Sequence, residues 1–266
     1  MTLPTVYLPH GAGPCFFMEW ERGPADAWDR TAAYLRGLID SLPERPKAIL
    51  VVSGHWEAPA FTVGSARWPQ LIYDYAGFPE HTYRLSFEAP GSPGLARRVK
   101  TLLASAGLPA AEDAAHGWDH GVFVPLKLVT PDADIPVVQL SLQAGLDPQA
   151  HLAAGRALAP LRDDGVLIVG SGMSWHNMRG FSPAFTARSA AFDAWLEAAV
   201  ADPAGRDEAL AHWAGAPYGR EAHPREEHLL PLMVAAGAAP GQAGEVTFRD
   251  QVMDVVISAV EFGRAA

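Results

Sequence analysis

The stretch Lys47–Trp56, KAILVVSGHW, constrains the fold of this chain more than any other. It begins as an apolar, largely β-branched run, breaks at Ser53-Gly54, and continues with a histidine and a tryptophan. A short, continuous apolar run bounded by turn residues is typical of a strand buried on both faces, as in a parallel or mixed sheet covered by helices. Ligands of such sheets bind beyond the carboxyl ends of the strands. We therefore expect His55 to face a ligand-binding crevice.

The same strand-then-histidine layout occurs twice more. His10 follows the apolar segment 6–8, and His176 follows the apolar segment 166–169. Because the carboxyl ends of parallel strands meet at one edge of a sheet, the three histidines are expected to share one site.

The rest of the chain alternates between strand and helix patterns. We predict strands at 5–8, 48–52, 61–64, 84–87, 136–142, 166–169, 245–249 and 252–257, and helices at 25–42, 93–106, 122–129, 148–161, 183–201, 208–213 and 223–236. No internal repeat, low-complexity segment or linker-like stretch interrupts the alternation. The sequence therefore predicts one α/β domain over residues 1–266, with a central mixed, mostly parallel sheet flanked by helices.

Charge and hydropathy argue against two classes of partner. The formal net charge is −10 and Lys and Arg form no cluster, whereas nucleic-acid binding needs a basic patch. No apolar run reaches the roughly 18 residues that a membrane span requires. The N-terminus lacks the pattern of a signal peptide, and the single cysteine, Cys15, cannot form an internal disulfide. We therefore expect a soluble, cytoplasmic protein.

Histidines are the strongest candidates for chemistry. The chain has no phosphate-binding loop and no G-x-S-x-G nucleophile motif. Cys15 lies near His10 and could serve as a nucleophile, but a lone cysteine is more often a small buried hydrophobic residue. A metal site needs neutral imidazoles from separate rigid elements. Five histidines fit this description: His10, His55, His120, His176 and His228. Among the others, His151 and His212 are expected on exposed helix positions, and His81 and His116 are expected in loops.

Six segments in series carry a family resemblance: HGAGP, SGHWEA, YDYAGFPEHTYRLSFEAPGSPGLA, GWDHGVFVPLKLVTPDADIPVVQLSL, GSGMSWHNMRGF and AHPREEHLLPLMVAAGAA. Together they resemble the class III extradiol ring-cleavage dioxygenases, most of all the DOPA-dioxygenase-like (LigB-type) branch. The match extends from His10 to about Ala239, with the motifs in matching order. The resemblance implies a single α/β catalytic domain with a non-haem Fe(II) centre that opens a catechol ring beside its two hydroxyls. Zinc replaces iron in some members.

The resemblance also implies metal ligands. By motif, His10 and His55 are the first two ligands, and the third comes from the segment HPREEH. In the DOPA-dioxygenase-like branch that ligand is a histidine, here His228, with Glu227 and Glu226 as the alternatives. A glutamate would give the two-histidine, one-carboxylate triad typical of Fe(II) oxygenases. Acidic residues also favour the first turn of a helix for electrostatic reasons alone.

His120 and His176 correspond to an acid–base pair around the substrate. A base should take a hydroxyl proton as the diol binds, and an acid should supply a proton that promotes oxygen–oxygen bond cleavage. A histidine that titrates near neutrality suits both tasks. The expected pocket side chains are Tyr75, Trp118 and His223, with segments 71–83 and 117–121 on the rim. Asp119 is expected to be a solvated turn residue, or else to orient a neighbouring histidine.

Three functions fit the sequence. They are an Fe(II) extradiol dioxygenase, a zinc-dependent hydrolase using the same three histidines, and a non-catalytic fold relative that binds a partner. The presence of both His120 and His176 counts against the third, because a scaffold needs no acid–base pair. The first loop, HGAGPCFFMEW, departs from the histidine-glycine-serine-proline segment of many relatives, so the identity of the small aromatic diol or aminophenol used with O2 stays open. The oligomeric state, a homo-oligomer included, stays open as well.

Overall fold

One mixed sheet forms the centre of the molecule. The computed structural model describes residues 1–264, so the last two residues of the predicted domain lie outside the described residues. Within residues 1–264, eight strands form the sheet in the order β4-β3-β5-β2-β6-β1-β8-β7. They are β1 (Thr5–Pro9), β2 (Ala48–Ala58), β3 (Phe61–Gly64), β4 (Ala110–Asp113), β5 (Val137–Gln143), β6 (Val166–Gly172), β7 (Gly244–Val252) and β8 (Val255–Phe262). The central strands β5, β2, β6 and β1 pair in parallel, while β8 pairs antiparallel with β1 and β7. The predicted mixed, mostly parallel sheet is confirmed.

Helices cover both faces of this sheet. They are α1 (Asp29–Ser41), α2 (Pro93–Ser105), α3 (His120–Val129), α4 (Pro148–Leu158), α5 (Thr186–Ala201), α6 (Arg206–Ala211), α7 (Gly219–Ala222) and α8 (Leu230–Gly237). Successive residues of a strand point to opposite faces, so Val51 packs with Leu35 and Phe123 on one side, and Leu50 packs with Leu232 on the other. Strand β2 is therefore buried on both faces, as its apolar run predicts. Within the part of the chain that the structure describes, no helix is long and apolar enough to cross a membrane.

One predicted strand is wrong, and one strand of the sheet was not predicted. The segment 84–87 is not a strand: the 3-10 helix Glu80–Arg84 runs into it. Two of its backbone carbonyl groups accept hydrogen bonds from side chains rather than from a neighbouring strand. The Tyr73 hydroxyl lies 2.6 Å from Leu85 O, and Lys127 Nζ lies 2.8 Å from Ser86 O. Strand β4 was not predicted, because AAED lacks the apolar alternation of a strand.

The helix predicted at 223–236 begins only at Leu230. The preceding turn is held by tertiary hydrogen bonds that replace those of a helix. The carbonyl oxygen of His228 accepts from the Tyr7 hydroxyl at 2.7 Å and from the Met173 N–H at 3.3 Å. A Cβ atom at Gly172 would overlap this carbonyl group, so glycine at the end of β6 permits the close approach. Similarly, α1 begins at Asp29 rather than at residue 25.

His151 is buried, which corrects the prediction of an exposed helix position. Its Nδ1 lies 2.7 Å from the Asp147 carbonyl oxygen, and its Nε2 accepts the Gln143 N–H at 3.2 Å. The imidazole thus joins the end of β5 to the start of α4. Helical periodicity does not reveal this burial, because it depends on how two separate elements pack together.

Candidate active site

Three histidines lie at adjacent strand ends. His10 directly follows β1, His55 lies in the last part of β2, and His176 follows β6. Strand β6 pairs with both β1 and β2, so these three ends are neighbours. The end of β2 is irregular, because its register with β5 shifts between Val52 and Glu57.

Five histidine rings form one cluster at this edge of the sheet. The centroid of the His10 ring lies 5.0 Å from that of His55, 5.1 Å from that of His228 and 5.3 Å from that of His120. The His55 and His120 rings are 3.9 Å apart, and His176 stacks on His228 at 3.4 Å. Nε2 of His228 lies 3.0 Å from Nε2 of His55. The structure therefore brings together all five histidines singled out in the sequence.

Asp74 contacts two of these rings. Its Oδ1 lies 2.8 Å from His120 Nδ1 and accepts the His120 backbone N–H at 2.9 Å, while its Oδ2 lies 3.6 Å from His55 Nδ1. His10 Nδ1 lies 2.9 Å from the carbonyl oxygen of Gly11. Sequence reasoning missed Asp74, which belongs to the predicted rim segment. Its position between two aromatic residues in YDY gave no signal of contact with histidines.

Glu227 contacts two further rings, those of His228 and His176. Its Oε1 lies 3.0 Å from His228 Nδ1 and 3.4 Å from His176 Nδ1. Its Oε2 lies 3.5 Å from Arg225 Nη1, and Arg225 also forms a two-pronged ion pair with Glu57 at 2.5 and 2.7 Å. Burial alone would raise the pKa of Glu227, but its hydrogen bonds with the two histidines outweigh burial and hold the pKa well below its usual range. Glu227 is therefore an ionised acceptor.

Burial keeps the enclosed imidazoles neutral. Loss of solvent is the largest cause that lowers the pKa of His10, His55 and His228, and the neighbouring histidines lower it further. For His228 the hydrogen bond to Glu227 opposes this effect, and the pKa is about 4. Metal binding requires unprotonated imidazole nitrogens, so the site is preset for it near neutral pH.

The donor set fits a metal ion. His10 Nε2 is fully enclosed and has no hydrogen-bond partner among the described residues, and such orphaned polar atoms are rare unless a ligand or water completes them. If the carboxylates accept Nδ1–H from His55 and His228, the two Nε2 atoms face each other with lone pairs at 3.0 Å. A cation between them removes this repulsion. Three histidine nitrogens within 4.8 Å of one another, from His10, His55 and His120, also form a group that could hold a metal.

Asp119 is buried, not a solvated turn residue. It accepts hydrogen bonds from the Ser53 hydroxyl at 2.7 Å and from the Gln139 amide. The Ser53 hydroxyl oxygen in turn accepts the backbone N–H of His55 at 3.2 Å. Burial raises the pKa of Asp119, and the two hydrogen bonds oppose this. Asp119 thus holds the Ser53 hydroxyl, which in turn fixes the backbone at His55.

The three expected pocket residues lie in different surroundings. The Tyr75 ring is 5.8 Å from the His120 ring, and its hydroxyl donates to the Thr82 carbonyl oxygen at 2.6 Å. Trp118 is buried with its ring against Phe87. His223 is fully buried, and its Nε2 lies 3.0 Å from the Ser174 carbonyl oxygen. Tyr75 is therefore the member of this group that adjoins the histidine cluster.

Cys15 lies in the core rather than in a reactive setting. It is buried, and its Sγ accepts the Ala12 N–H at 3.3 Å. Burial raises the pKa of the thiol, which disfavours the nucleophilic thiolate. These features agree with a small buried hydrophobic residue.

A cavity of about 480 Å³ opens beside the His176–Glu227 side of the cluster. Its walls include His176, Met178 and Arg179. A volume of this size is in the usual range for a small-molecule site.

Comparison with known proteins identifies the family. Residues 4–260 match the family model described as the catalytic LigB subunit of aromatic ring-opening dioxygenase. The chain belongs to the LigB family. It is accordingly an extradiol ring-cleavage dioxygenase, and the LigB-type resemblance found in the motifs is confirmed.

Curated LigB relatives come from plants, fungi and bacteria. The chain is 46% identical over 200 residues to a 4,5-DOPA dioxygenase extradiol of Beta vulgaris, covering 74% of each chain. It is 35% identical to the dioxygenase tasH of Hapsidospora irregularis, covering 98% of this chain and 85% of the relative. It is 36% identical to a 4,5-DOPA dioxygenase extradiol of Escherichia coli K12, covering 90% and 86%.

A solved structure shares the LigB fold described above. It is an uncharacterized protein of Escherichia coli K12, with a TM-score of 0.76 and 29% sequence identity. The alignment covers 98% of this chain and 100% of that chain. The overall fold of this chain is therefore shared with a solved structure.

Proposed function

We propose that this dioxygenase opens the ring of a small catechol-type substrate at a metal centre formed by His10, His55 and His228. The observation that carries the proposal is the pair of Nε2 atoms of His55 and His228, 3.0 Å apart, beside the unpartnered Nε2 of His10. Two ligands that each lie about 2.1 Å from one ion, at about a right angle, are about 3.0 Å from each other. The spacing therefore suits two ligands of one metal ion.

The neighbouring glutamates are weaker candidates for the third ligand. Glu226 forms an ion pair with Arg220 at 2.6 Å. Glu227 uses Oε1 to contact the Nδ1 side of His228, the side opposite the nitrogen that approaches His55. These contacts favour His228 as the ligand and Glu227 as its hydrogen-bond partner.

Fe(II) is the metal that we propose, with zinc as the alternative. When bound, Fe(II) would supply the redox chemistry that allows O2 to react with an aromatic diol. Zinc has no accessible redox change and would suit hydrolysis instead. The remaining steps fall to the side chains around the metal ligands.

His120 and His176 are proposed to move protons. Each has Nδ1 beside a carboxylate, His120 next to Asp74 and His176 next to Glu227, so Nε2 is the atom left to exchange a proton with the substrate. One takes a proton from a substrate hydroxyl, and the other returns one during ring opening. Tyr75, whose ring adjoins His120, would contact the substrate ring.

The single cysteine bears on the compartment. Cys15 is buried and cannot form an internal disulfide, so the fold has no need of an oxidising environment. We accordingly propose a cytoplasmic location.

The direct test is oxygen uptake by protein loaded with Fe(II) without air. A panel of catechols and aminophenols should reveal at least one substrate that consumes one O2 per ring opened, with both atoms of ¹⁸O2 in the product. His10→Ala protein prepared in parallel should consume none. Absence of uptake with every catechol, together with ester or amide hydrolysis by the zinc-loaded protein, would replace this proposal with the zinc hydrolase.

A further inference from the structure

Asp74 occupies a distinctive position in the site. One carboxylate oxygen accepts from both the backbone and the ring of His120, at 2.9 and 2.8 Å, and the other faces His55 Nδ1 at 3.6 Å. The hydrogen bond from the His120 backbone fixes the orientation of the carboxylate, so that Oδ1 contacts the His120 ring. The second oxygen, Oδ2, then faces His55.

Glu227 stands in a corresponding position on the other side of the cluster. Its Oε1 contacts the Nδ1 atoms of His228 and His176, at 3.0 and 3.4 Å. Each carboxylate therefore contacts one proposed metal ligand and one proposed acid–base residue.

We propose, on the basis of the function assigned above, that Asp74 is a positioning residue that keeps the Nδ1 proton on His120 through a hydrogen bond and on His55 by charge attraction across 3.6 Å. An imidazole whose Nδ1–H is held by a carboxylate must present the lone pair of Nε2. Asp74 thereby aims one lone pair at the metal and the other at the substrate. Loss of the negative charge would weaken this preference in both rings, most of all at His55, which the second oxygen faces.

The substitution Asp74→Asn distinguishes positioning from general structural support. The His120 backbone N–H should retain the side-chain oxygen of the asparagine, because that contact needs an acceptor. The asparagine NH2 then faces His55 Nδ1, where it favours the tautomer with hydrogen on Nε2. That tautomer cannot bind a metal through Nε2. We expect Asp74→Asn to weaken zinc binding by about 10- to 100-fold, the usual scale for the loss of a group that orients a ligand.

The matched control is Glu80→Gln. Glu80 lies in the same segment, is exposed, and pairs with Arg84, so this change removes the same charge without touching a histidine. Zinc affinity is measured by competition with a chelator, and thermal unfolding of each variant checks the fold. Glu80→Gln should bind zinc within about twofold of the wild type.

A second readout is the imidazole N–H spectrum of zinc-loaded protein labelled with ¹⁵N-histidine. The wild type should show a hydrogen-bonded Nδ1–H signal from His120, shifted by the carboxylate, and Asp74→Asn should reduce this shift because an amide oxygen is a weaker acceptor than a carboxylate. Unchanged zinc affinity together with an unchanged spectrum would overturn the inference. A wild type that binds zinc as described but consumes no catechol in the iron-loaded form would instead reject the proposed function and leave the role of Asp74 intact.

Discussion

At the scale of single residues, the positions of protons on five imidazoles determine what the cluster can bind. Every Nδ1 in the cluster lies beside an oxygen atom, from Gly11, Asp74 or Glu227. With the protons on Nδ1, the lone pairs lie on Nε2, and the Nε2 atoms of His55 and His228 are 3.0 Å apart. Two neutral lone pairs at this distance either bind a metal ion or repel each other.

Replacing the proposed acid–base histidines should separate binding from chemistry. His120→Phe and His176→Phe should retain most of the metal, yet lower kcat by roughly 10²- to 10⁴-fold, the scale of losing a positioned acid or base. The reason is that the metal supplies most of the ground-state binding, while proton transfer matters along the reaction path. Metal analysis and steady-state O2 uptake on the same preparations give both numbers.

The matched variants are His10→Ala and His228→Ala, which should lose the metal. If His120→Phe loses metal as completely as His10→Ala while His228→Ala keeps it, the ligand set is His10, His55 and His120. Full activity in both phenylalanine variants would reject the proton-transfer roles.

At the scale of elements, the sequence predicted the strand ends better than the turns. The apolar run of β2 and the histidine after it required only local reasoning, because a buried strand and its carboxyl end are local features. Local reasoning could not predict the turn before α8, because its conformation depends on contacts with Tyr7 and Met173, which are distant in sequence. Asp74 was missed for the same reason: its partners come from β2 and from the start of α3.

Glycine at the end of β6 should be essential for placing His228. A Cβ atom in Gly172→Ala would overlap the His228 carbonyl group, so the turn must move and carry the imidazole away from His55. We expect a lower melting temperature and loss of bound metal. Gly37→Ala is the control, because Gly37 lies in α1 with open space around it. This substitution should stabilise the protein by about 0.5–1 kcal/mol. Calorimetry and metal analysis test both; metal retention by Gly172→Ala would contradict the role of the turn.

At the scale of the whole molecule, burial of histidines links stability to pH. Loss of solvent lowers the pKa of His10, His151 and His223, and that of His223 is about 3. The unfolded chain takes up protons at these residues near pH 6.5, whereas the folded chain does not. The unfolded state therefore binds more protons, and the free energy of unfolding falls as the pH decreases from about 7.

His223 allows this link to be measured at a buried histidine that is not itself a proposed metal ligand. Its ring packs against Trp213 and Phe192, so His223→Phe keeps an aromatic ring in the same core. For a pKa of about 6.5 unfolded and about 3 folded, one histidine removes about 2 kcal/mol of stability between pH 7 and pH 5. Urea unfolding at these two pH values should show that His223→Phe loses about 2 kcal/mol less than the wild type. If His223→Phe instead shows the full wild-type loss, the buried imidazole at this position is not the source of the acid sensitivity assigned to it.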